Sequence, residues 1–558
     1  MTTADPPRLT DTVRDAAMRW IADDPCATDR SELQSVLARA TAGSADDVAD
    51  LTERMAASLT FGTAGLRGPL RAGPAGMNLA VVRRAAAGIA EYLRASEGSG
   101  GTVLVGYDAR HRSAEFALDA ATVLAAQGFS VLLAPSALPT PITAFAVRKL
   151  NAVAGLQVTA SHNPPQDNGL KVYLRGGTQL VGPADDAIES AMTAAPAAIS
   201  IDTSGRPAPW PDGLIDDYLA RAAGSQPGTV GQLRVAATPL HGVGGETLVR
   251  ALRLAGFTDV SVVGSQAVPD PNFPTVAFPN PEEPGVCDEL LALAAEVGAD
   301  VAVANDPDAD RCSIGIARAD GSWRMLTGDQ TGALLGDHIL ATLDRQAHPD
   351  PLVATTIVSS QLLGRIAAAR GARYDETLTG FKWIVRAGDG NGTGLVFGYE
   401  EALGLAVDPD AVRDKDGISA AVLACAVAAG LKAEGRTVDD ALDDLARAYG
   451  LHTTGAVSLR VEDLSRISAW MTTLRAHPPA SLLGRPVTVT DLLPRTDGIR
   501  LTTDRARVVV RPSGTEPKLK CYLEIVSPTT DADLVAVRET AERELDELRN
   551  EVRGLFQA

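Results

Sequence analysis

Short apolar runs alternate with stretches of helical periodicity three times along this chain, and no other feature limits its fold as strongly. In the first round, residues 102–105 and 130–133 have the pattern of strands and residues 114–127 that of a helix. The alternation returns in residues 233–304 and again in residues 328–397. Strands separated by helices favour βαβ units with a largely parallel sheet. The sequence therefore predicts three similar mixed α/β domains.

The two ends of the chain have other patterns. Helical periodicity over residues 11–22 and about 31–59 predicts a helical N-terminal extension, in which we find no chemistry. After about residue 450, polar and apolar residues alternate as in antiparallel strands, and a charged helix is predicted over residues 533–549. The predicted organisation is a helical extension at 1–60, α/β domains at 61–209, 210–325 and 326–452, and an α+β domain at 453–558.

Composition limits the partners and the compartment. With 558 residues the chain exceeds the roughly 250–300 residues of a single hydrophobic core, so several domains are expected. The net charge of −19 disfavours nucleic acid and anionic membranes as partners, and an anionic substrate would need a local basic cleft. The five cysteines are scattered without CxxC spacing, and no apolar run approaches the ~20 residues of a membrane span. We therefore expect free thiols, a cytoplasmic location and no membrane partner.

The loop at residues 159–165 contains a serine that can act as a nucleophile. It follows the apolar run 152–158, and its two prolines forbid helix and hold the backbone extended. The ends of strands are where α/β proteins place their chemistry. A hydroxyl at Ser161 can carry a transferable group, with His162 and Lys171 near enough for proton transfer or charge. The alternative is a proline-rich connecting turn with a capping serine.

Three aspartates alternate along the loop that follows the strand at residues 300–304. The carboxylates of Asp306, Asp308 and Asp310 can converge as oxygen ligands on a hard cation. The spacing matches the start of an EF-hand loop, but the glycine that such a loop requires is replaced by Arg311. Three carboxylates with open positions suit Mg²⁺ held against a phosphoryl group. The alternative is a solvated acidic loop.

Two further loops have the composition of anion sites. The glycine-rich loop 61–68 allows backbone amides to approach an anion while Arg67 supplies charge. The turn that begins at Arg511 combines a guanidinium, two hydroxyls and a glycine amide, which is suited to clamping a phosphate. Its members are Arg511, Ser513, Gly514 and Thr515. A flexible turn and a structural turn are the respective alternatives.

The loop after residues 394–397 carries two carboxylates. Glu400 and Glu401 can accept hydrogen bonds from sugar hydroxyls, or they can be surface carboxylates. Lys415 precedes an apolar helix, where it can simply flank an N-cap. The glycines at 242–245 do not complete a GxGxxG pattern, and no Walker A sequence is present, so the sequence does not support a nucleotide site.

Taken together, these loops resemble one family. Four stretches match, in order, the four signatures of the α-D-phosphohexomutases, which include phosphoglucomutases and phosphomannomutases. They are Thr-Ala-Ser-His-Asn-Pro at 159–164, Asp-Pro-Asp-Ala-Asp-Arg at 306–311, Gly-Tyr-Glu-Glu-Ala-Leu-Gly at 398–404 and Arg-Pro-Ser-Gly-Thr at 511–515. The form of the 61–68 loop and the helical extension look most like the branch that also contains phosphopentomutases and glucose-1,6-bisphosphate synthases.

The resemblance implies an α/β enzyme that is heart-shaped, with the motif loops meeting in a central cleft. Ser161 would carry the phosphoryl group, and Asp306, Asp308 and Asp310 would bind one Mg²⁺ together with a phosphoserine oxygen. Lys171 and Arg67 would serve proton transfer and charge stabilisation. The substrate-binding residues would be Arg311, Thr379, Gly380, Lys382, Glu400 and Lys415 on the sugar side, and Arg511, Ser513, Gly514 and Thr515 at the phosphate that does not react. A sugar 1,6-bisphosphate would be the activator, and the protein would be a monomer or homodimer with sugar phosphates as its partners.

Two positions depart from the family pattern. Ala402 stands where hexose-specific members usually have serine, which removes one hydroxyl contact to the sugar. Asp167 stands where many members have tyrosine. The function expected is interconversion of hexose 1-phosphate and hexose 6-phosphate. The alternatives are a phosphopentomutase or bisphosphate synthase of the same family, a serine-dependent phosphatase and a non-catalytic sugar-phosphate binding protein.

Overall fold

The computed structural model describes residues 8–62, 65–224, 232–461, 463–513, 517–529 and 533–557. Within these residues the strands form four main sheets and one two-stranded hairpin, and the sheets follow one another along the chain. Three sheets mix parallel and antiparallel strands, and the fourth is antiparallel. The predicted class, three mixed α/β domains followed by an α+β domain, is confirmed. The boundaries drawn between the domains remain predictions.

The N-terminal extension is a group of three helices packed on the first domain. They are α1 (Asp11–Asp23), α2 (Ala27–Thr41) and α3 (Ala45–Ala56). The prediction of one helical stretch over about residues 31–59 is therefore wrong, because one helix ends at Thr41 and the next begins at Ala45, with a turn between them at Gly43. Its φ of 96° lies in the left-handed region that side chains disfavour. Buried residues such as Leu33 and Leu51 share one hydrophobic core with the first α/β domain.

The first domain surrounds an eight-stranded sheet in the order β1-β2-β6-β5-β3-β4-β8, with β7 paired to β6. Its strands are β1 (Phe61–Gly62), β2 (Gly65–Pro69), β3 (Thr102–Tyr107), β4 (Ser130–Leu133), β5 (Ala154–Val158), β6 (Asp167–Leu174), β7 (Thr178–Gln179) and β8 (Ala208–Pro209). Its helices are α4 (Leu79–Glu97), α5 (Ser113–Ala126), α6 (Thr140–Lys149) and α7 (Ala184–Ala194), with a short 3₁₀ turn at Ala198–Ser200.

The second and third domains repeat the central part of the first. The second contains α8 (Leu214–Gly224), β9 (Arg234–Thr238), α9 (Gly244–Leu254), β10 (Asp259–Val262), a 3₁₀ turn at Gly264–Gln266, α10 (Asp288–Val297), β11 (Val301–Asn305), β12 (Cys312–Ala317) and β13 (Trp323–Met325). The third contains α11 (Gly328–Thr342), β14 (Leu352–Thr356), α12 (Leu362–Arg370), β15 (Arg373–Thr377), α13 (Phe381–Ile384), β16 (Leu395–Glu400), β17 (Gly404–Ala406), α14 (Gly417–Ala433) and α15 (Val438–Tyr449). The repeated unit is three parallel strands followed by one antiparallel strand. It runs β4-β3-β5-β6, β10-β9-β11-β12 and β15-β14-β16-β17 in the three sheets.

This repeat places three of the four motif loops at the same point of each domain. The serine loop joins β5 to β6, the aspartate loop joins β11 to β12, and the Glu400 loop joins β16 to β17. In each case the chain leaves the last parallel strand and turns back into the antiparallel one. One hydrophobic core runs from α6 through the second and third domains, so the three units pack as one body.

The C-terminal domain has a hydrophobic core of its own. Its elements are β18 (Leu451–Arg460), α16 (Ser465–Ala476), β19 (Ser481–Leu482), β20 (Arg485–Pro486), β21 (Thr488–Asp491), β22 (Ile499–Thr502), β23 (Ala506–Pro512), β24 (Lys518–Ser527) and α17 (Leu534–Gly554). The main sheet has the order β18-β24-β23-β22-β21, and β19 pairs with β20. The phosphate-clamp turn predicted at Arg511 joins β23 to β24.

Among the described helices, no single one is long and apolar enough to span a membrane. The successive helices α14 and α15 reach that length and apolar content only together, and they meet at a bend of 90°.

Candidate active site

A left-handed residue occurs in each of the three equivalent loops. Ser161, Ala309 and Leu403 have φ angles of 54°, 55° and 64°, a conformation that residues other than glycine rarely adopt. Backbone strain of this kind persists where the surrounding structure fixes it, and it clusters at functional sites. The three turns therefore share their local geometry as well as their position in the fold.

The loops of different domains are joined by hydrogen bonds. The Thr140 amide at the start of α6 donates to the Asp308 carbonyl at 2.9 Å, and the Cys312 amide donates to the Leu403 carbonyl at 3.2 Å. Gly417 packs against the aspartate loop so closely that a Cβ there would collide with the Arg311 carbonyl oxygen. The first three motif loops thus form one buried junction.

Ser161 lies at this junction with its hydroxyl directed at the aspartate loop. Its Oγ donates to Asp306 Oδ2 at 2.9 Å, and its amide donates to Thr159 Oγ1 at 2.9 Å. Only 1% of the residue is exposed. The structure therefore brings the predicted nucleophile and the predicted metal loop together across two domains.

The three aspartates are fully buried and lie within metal-binding reach of one another. One carboxylate oxygen from each of Asp306, Asp308 and Asp310 lies within 4.8 Å of the other two. Lys171, on β6, donates to Asp308 Oδ2 at 2.7 Å and to Asp310 Oδ2 at 2.6 Å. Asp308 also accepts a hydrogen bond of 2.6 Å from Thr140 Oγ1.

The triad fits a hard cation. Asp308 Oδ1 and Asp310 Oδ1 are buried and have no hydrogen-bond partner within the described structure, which is costly for charged oxygens. Burial and the two neighbouring carboxylates raise the pKa of Asp306 well above its ordinary value. For Asp310, burial acts in the same direction, but Lys171 and other cations outweigh it and the pKa is lowered. A divalent cation would pair with the free oxygens and relieve this repulsion.

Further cations surround the triad. Arg311 Nε lies 3.9 Å from both Asp306 Oδ2 and Asp310 Oδ1, and Lys415 Nζ lies 3.4 Å from Asp310 Oδ2. Arg67, on β2, donates to Asn163 Oδ1 in the serine loop at 3.4 Å, and its Nε is buried without a hydrogen-bond partner among the described residues. The junction thus supplies the basic site that a chain of net charge −19 needs for an anion.

His162 lies beside the serine. Its Nδ1 is 3.3 Å from Ser161 Oγ, and its ring centroid is 6.3 Å from that of Phe278. Burial, with the charges of Arg311 and Arg67, lowers the pKa of His162 well below its ordinary value. The imidazole is therefore neutral at physiological pH.

Of the predicted sugar-side residues in the third domain, Glu400 and Lys415 lie at the junction, whereas Thr379, Gly380 and Lys382 lie on the neighbouring turn and helix. Glu400 Oε1 lies 3.8 Å from Lys415 Nζ, and burial raises the pKa of Glu400. Thr379 and Gly380 form the turn between β15 and α13. Lys382, on α13, has its ammonium 6.0 Å from the Trp383 ring, and burial lowers its pKa.

The two departures from the family pattern have structural roles of their own. The carbonyl of Ala402 accepts a hydrogen bond of 2.9 Å from Arg311 Nη1, so this position contributes through its backbone. Asp167 Oδ2 accepts a hydrogen bond of 3.0 Å from Asn163 Nδ2, which ties the serine loop to the start of β6.

The fourth motif reaches this region from the C-terminal domain. Arg511 lies one residue before the end of β23, its Nε is buried, and the Ser513 amide donates to the Lys518 carbonyl at 2.9 Å. The neighbouring Tyr522 has its pKa raised by burial and by the charge of Glu401 in the third domain. Of the predicted clamp, Gly514 and Thr515 lie outside the described residues.

Sequence reasoning missed Arg110, which follows the end of β3. Its guanidinium donates to the Ser161 carbonyl at 2.6 Å and to the Asn163 carbonyl at 2.6 Å. Glu282 was also missed; it lies 3.4 Å from Arg311, and burial raises its pKa to about 6. The polar run that starts at Asp108 after β3 is a strand-end signal of the kind that identified the other loops.

A serine opposite a carboxylate triad, surrounded by arginine and lysine, is the arrangement of a phosphoryl-transfer enzyme. Family models agree in all four domains. The three models described as phosphoglucomutase/phosphomannomutase alpha/beta/alpha domains I, II and III match residues 58–198, 216–319 and 327–449, and the C-terminal domain model matches residues 457–542. The chain belongs to the phosphoglucomutase/phosphomannomutase family, which confirms the resemblance found in the sequence.

Individual relatives cover most of the chain. A protein of Haemophilus influenzae named "Probable phosphomannomutase" is 41% identical over 466 residues, or 80% of this chain and 93% of the relative. A phosphoglucomutase of Staphylococcus aureus is 35% identical over 509 residues, or 85% of this chain and 90% of the relative. A solved structure of a phosphoglucomutase/phosphomannomutase family protein from Burkholderia thailandensis has a TM-score of 0.68 at 20% identity and covers 89% of this chain and 98% of that chain.

Proposed function

We propose that this chain is a phosphosugar mutase, an isomerase that interconverts hexose 1-phosphate and hexose 6-phosphate. The phosphoryl group passes through Ser161, and a sugar bisphosphate is the intermediate. The observation that carries this proposal is the 2.9 Å hydrogen bond from Ser161 Oγ to an aspartate triad in which two buried oxygens accept no hydrogen bond from the described residues. The names of the Haemophilus and Staphylococcus relatives support a hexose substrate.

The cofactor proposed is one Mg²⁺, held by Asp306, Asp308, Asp310 and an oxygen of the phosphorylated Ser161. When bound, the cation neutralises charge on the phosphoryl group and fixes its orientation. A sugar 1,6-bisphosphate is the proposed activator, since it can phosphorylate Ser161 in an enzyme that has lost its phosphate.

The residues around Ser161 would stabilise charge and transfer the proton. Lys171 has its pKa raised by two carboxylates, although burial opposes this, so it acts as a cation and hydrogen-bond donor to the transferring group. Arg67 supplies a second cation, which contacts the serine loop at Asn163. His162 is neutral, and its Nδ1 is close enough to exchange a proton with the Ser161 hydroxyl.

The substrate is held at two places. On the sugar side, the proposed contacts are Arg311, Thr379, Gly380, Lys382, Glu400 and Lys415. At the phosphate that does not react, they are Arg511, Ser513, Gly514 and Thr515. Two phosphate sites let the bisphosphate turn round between the two half-reactions, because either phosphate can then face Ser161.

Two other activities fit parts of the site. Ala402 offers no hydroxyl to a hexose, which keeps a phosphopentomutase or bisphosphate synthase as the second candidate. A serine-dependent phosphatase would share Ser161 and the metal but has no use for a second phosphate clamp. The cytoplasmic location and the monomeric or dimeric state remain predictions from the sequence and the resemblance.

The first prediction tests the phosphoserine. Incubation with glucose 1,6-bisphosphate should add one phosphate to Ser161, detected by intact mass and peptide mapping, and Ser161→Ala should lose mutase activity. Coupled assays over glucose, mannose, glucosamine, ribose and deoxyribose phosphates identify the sugar. Phosphate found only on another residue, or full activity in Ser161→Ala, would contradict the proposal. Faster turnover of pentose than hexose phosphates would favour the second candidate.

A further inference from the structure

One arginine holds the backbone of the serine loop. The guanidinium of Arg110 donates to three carbonyl oxygens of this loop and to one at the start of β6, and its side chain is only 1% exposed. The acceptors are the carbonyls of Ser161 at 2.6 Å, Asn163 at 2.6 Å, Pro164 at 2.8 Å and Asp167 at 3.2 Å. A planar guanidinium is the side chain whose fixed fork of donors suits such a cluster. Because Ser161 has a φ of 54°, this restraint acts on a backbone conformation that the residue would not keep unaided.

Arg110 belongs to a short turn, residues 108–113, that is itself tightly held. Asp108 Oδ1 accepts hydrogen bonds from the Arg110 amide at 3.0 Å and from Ser113 Oγ at 2.6 Å. Asn168, at the start of β6, donates from Nδ2 to the His111 carbonyl at 2.9 Å. The turn therefore lies against the serine loop on one side.

On its other side the turn is tied to the N-terminal extension. Arg112 has a φ of 66° and donates from Nη1 to Asp29 Oδ1 on α2 at 2.7 Å. Asp29 is buried, with 2% of the residue exposed. Residues 8–57 lie outside the four family domains, the first of which starts at residue 58. A segment in which the sequence shows no chemistry thus contacts the turn that carries Arg110.

We propose that Arg110 is a positioning residue for the Ser161 hydroxyl, and that the N-terminal extension keeps it in place through the Asp29–Arg112 ion pair. This rests on the proposed function, in which Ser161 carries the phosphoryl group. The hydroxyl must meet both the metal loop and the substrate, and a displacement of about 1 Å far from the chemistry can slow a reaction by ~10²-fold. The extension then has a role in catalysis beyond covering the hydrophobic face of the first domain.

The chain offers a matched control. Asp23, at the end of α1, pairs with Arg84 on α4 and so also ties the extension to the first domain. That contact does not involve the turn at 108–113. Asp29→Asn and Asp23→Asn each remove one charge from the extension and one ion pair to the same domain. An effect seen only in Asp29→Asn therefore reports the position of the serine loop, and an effect seen in both reports the stability of the extension.

Two measurements on the full chain test the proposal. Transfer of phosphate from glucose 1,6-bisphosphate to Ser161 is followed in a single turnover by mass spectrometry, together with KM in steady-state assays. We expect Asp29→Asn to slow transfer by on the order of tenfold with KM little changed, since Arg112 keeps Glu115 as a partner and only part of the restraint is lost. Asp23→Asn should transfer at the wild-type rate, and Arg110→Lys, which cannot reach four carbonyls, should be slower than both.

The second measurement does not depend on activity. Hydrogen exchange of the peptide covering residues 160–168 should be faster in Asp29→Asn than in wild type, and unchanged in Asp23→Asn. Equal exchange and equal transfer rates in the two variants would overturn the proposal and leave the extension with a stabilising role only. If wild-type Ser161 takes up no phosphate, the proposed function fails, and exchange alone then decides whether the extension orders the loop.

Discussion

At the scale of single residues, the ammonium of Lys171 and a divalent cation would neutralise the same two carboxylates, the lysine at their Oδ2 atoms and the cation at their free Oδ1 atoms. Lys171 Nζ donates to Asp308 Oδ2 and Asp310 Oδ2, and its side chain is completely buried. A cation bound by the triad would share these carboxylates and weaken both contacts. In the proposed function, Lys171 would therefore neutralise Asp308 and Asp310 before metal binds and would afterwards be available to the phosphoryl group.

The second prediction follows from this shared use. Lys171→Met leaves the buried carboxylates of Asp308 and Asp310 without their closest cation, and removing one partner of a buried ion pair typically costs about 3–5 kcal/mol. The melting temperature without metal should fall. Mg²⁺ should then raise it by more than in wild type, because the cation no longer competes with an ammonium and binds the folded state more tightly.

Lys415→Met is the control for that experiment. Lys415 contacts the triad through one longer distance, 3.4 Å to Asp310 Oδ2, so its loss should have a smaller effect on the metal-dependent shift. Equal gains from Mg²⁺ in wild type and Lys171→Met, measured by thermal unfolding, would show that the lysine and the metal do not share ligands.

At the scale of elements, the sequence predicted the motif loops but not all of the structure that supports them. Each loop stands out because a polar or glycine-rich run follows an apolar strand. Strand β6 was missed, since Pro164 and Pro165 and the Asn168-Gly169 pair are turn signals. Pairing with β5 and β2 on its two sides nevertheless makes residues 167–174 a strand and places Lys171 inside the sheet. Arg110 was missed because it acts on backbone carbonyls, which leave no trace in a pattern of side chains.

Asp329, near the start of α11, is a buried carboxyl that holds the loop after β14 in place. Its Oδ1 accepts hydrogen bonds from the Ser360 amide at 2.7 Å and from the Tyr399 hydroxyl at 3.1 Å. Burial raises the pKa of Asp329 to about 7, although the Ser360 amide opposes the shift. The carboxyl is therefore largely protonated in the folded protein at mildly acidic pH.

The third prediction is that this group makes stability depend on pH. An unfolded aspartate titrates near pH 3.9, so the folded state binds more protons between about pH 4 and pH 7, and stability falls as the pH rises through that window. Asp329→Asn keeps an Oδ1 acceptor and removes the charge. Its melting temperature relative to wild type should therefore be higher at pH 8 than at pH 5.

The matched variant is Asp337→Asn, on the exposed side of the same helix, where the carboxylate pairs with Arg370. The melting temperature of this variant relative to wild type should not be higher at pH 8 than at pH 5. If the difference in melting temperature between Asp329→Asn and wild type were the same at pH 5 and pH 8, the raised pKa of Asp329 would be contradicted.

At the scale of the whole molecule, the C-terminal domain is anchored on the third domain. Arg507 donates to the Ser359 carbonyl and pairs with Glu524 at 3.0 Å, and Glu524 accepts a hydrogen bond of 2.6 Å from Ser360 Oγ. The domain has its own core and brings the fourth motif from a separate body. In the proposed function, one phosphate site would lie on the body that carries Ser161 and the other on the C-terminal domain.

The fourth prediction therefore assigns Arg511 to the phosphate that does not react. A charge-assisted hydrogen bond contributes about 1.5–3 kcal/mol, so the loss of a bidentate guanidinium should cost roughly 3 kcal/mol, or on the order of a hundredfold in kcat/KM. Because this phosphate also holds the bisphosphate while it turns round, Arg511→Ala should release more free bisphosphate per turnover without stopping the first transfer from Ser161.

Arg485→Ala is the control, since it removes a guanidinium from the same domain at a site where Arg485 pairs with Asp504. Single-turnover transfer and bisphosphate release are measured on both variants. A collapse of transfer with unchanged release in Arg511→Ala would place this arginine at the reacting phosphate and reverse the assignment of the two sites.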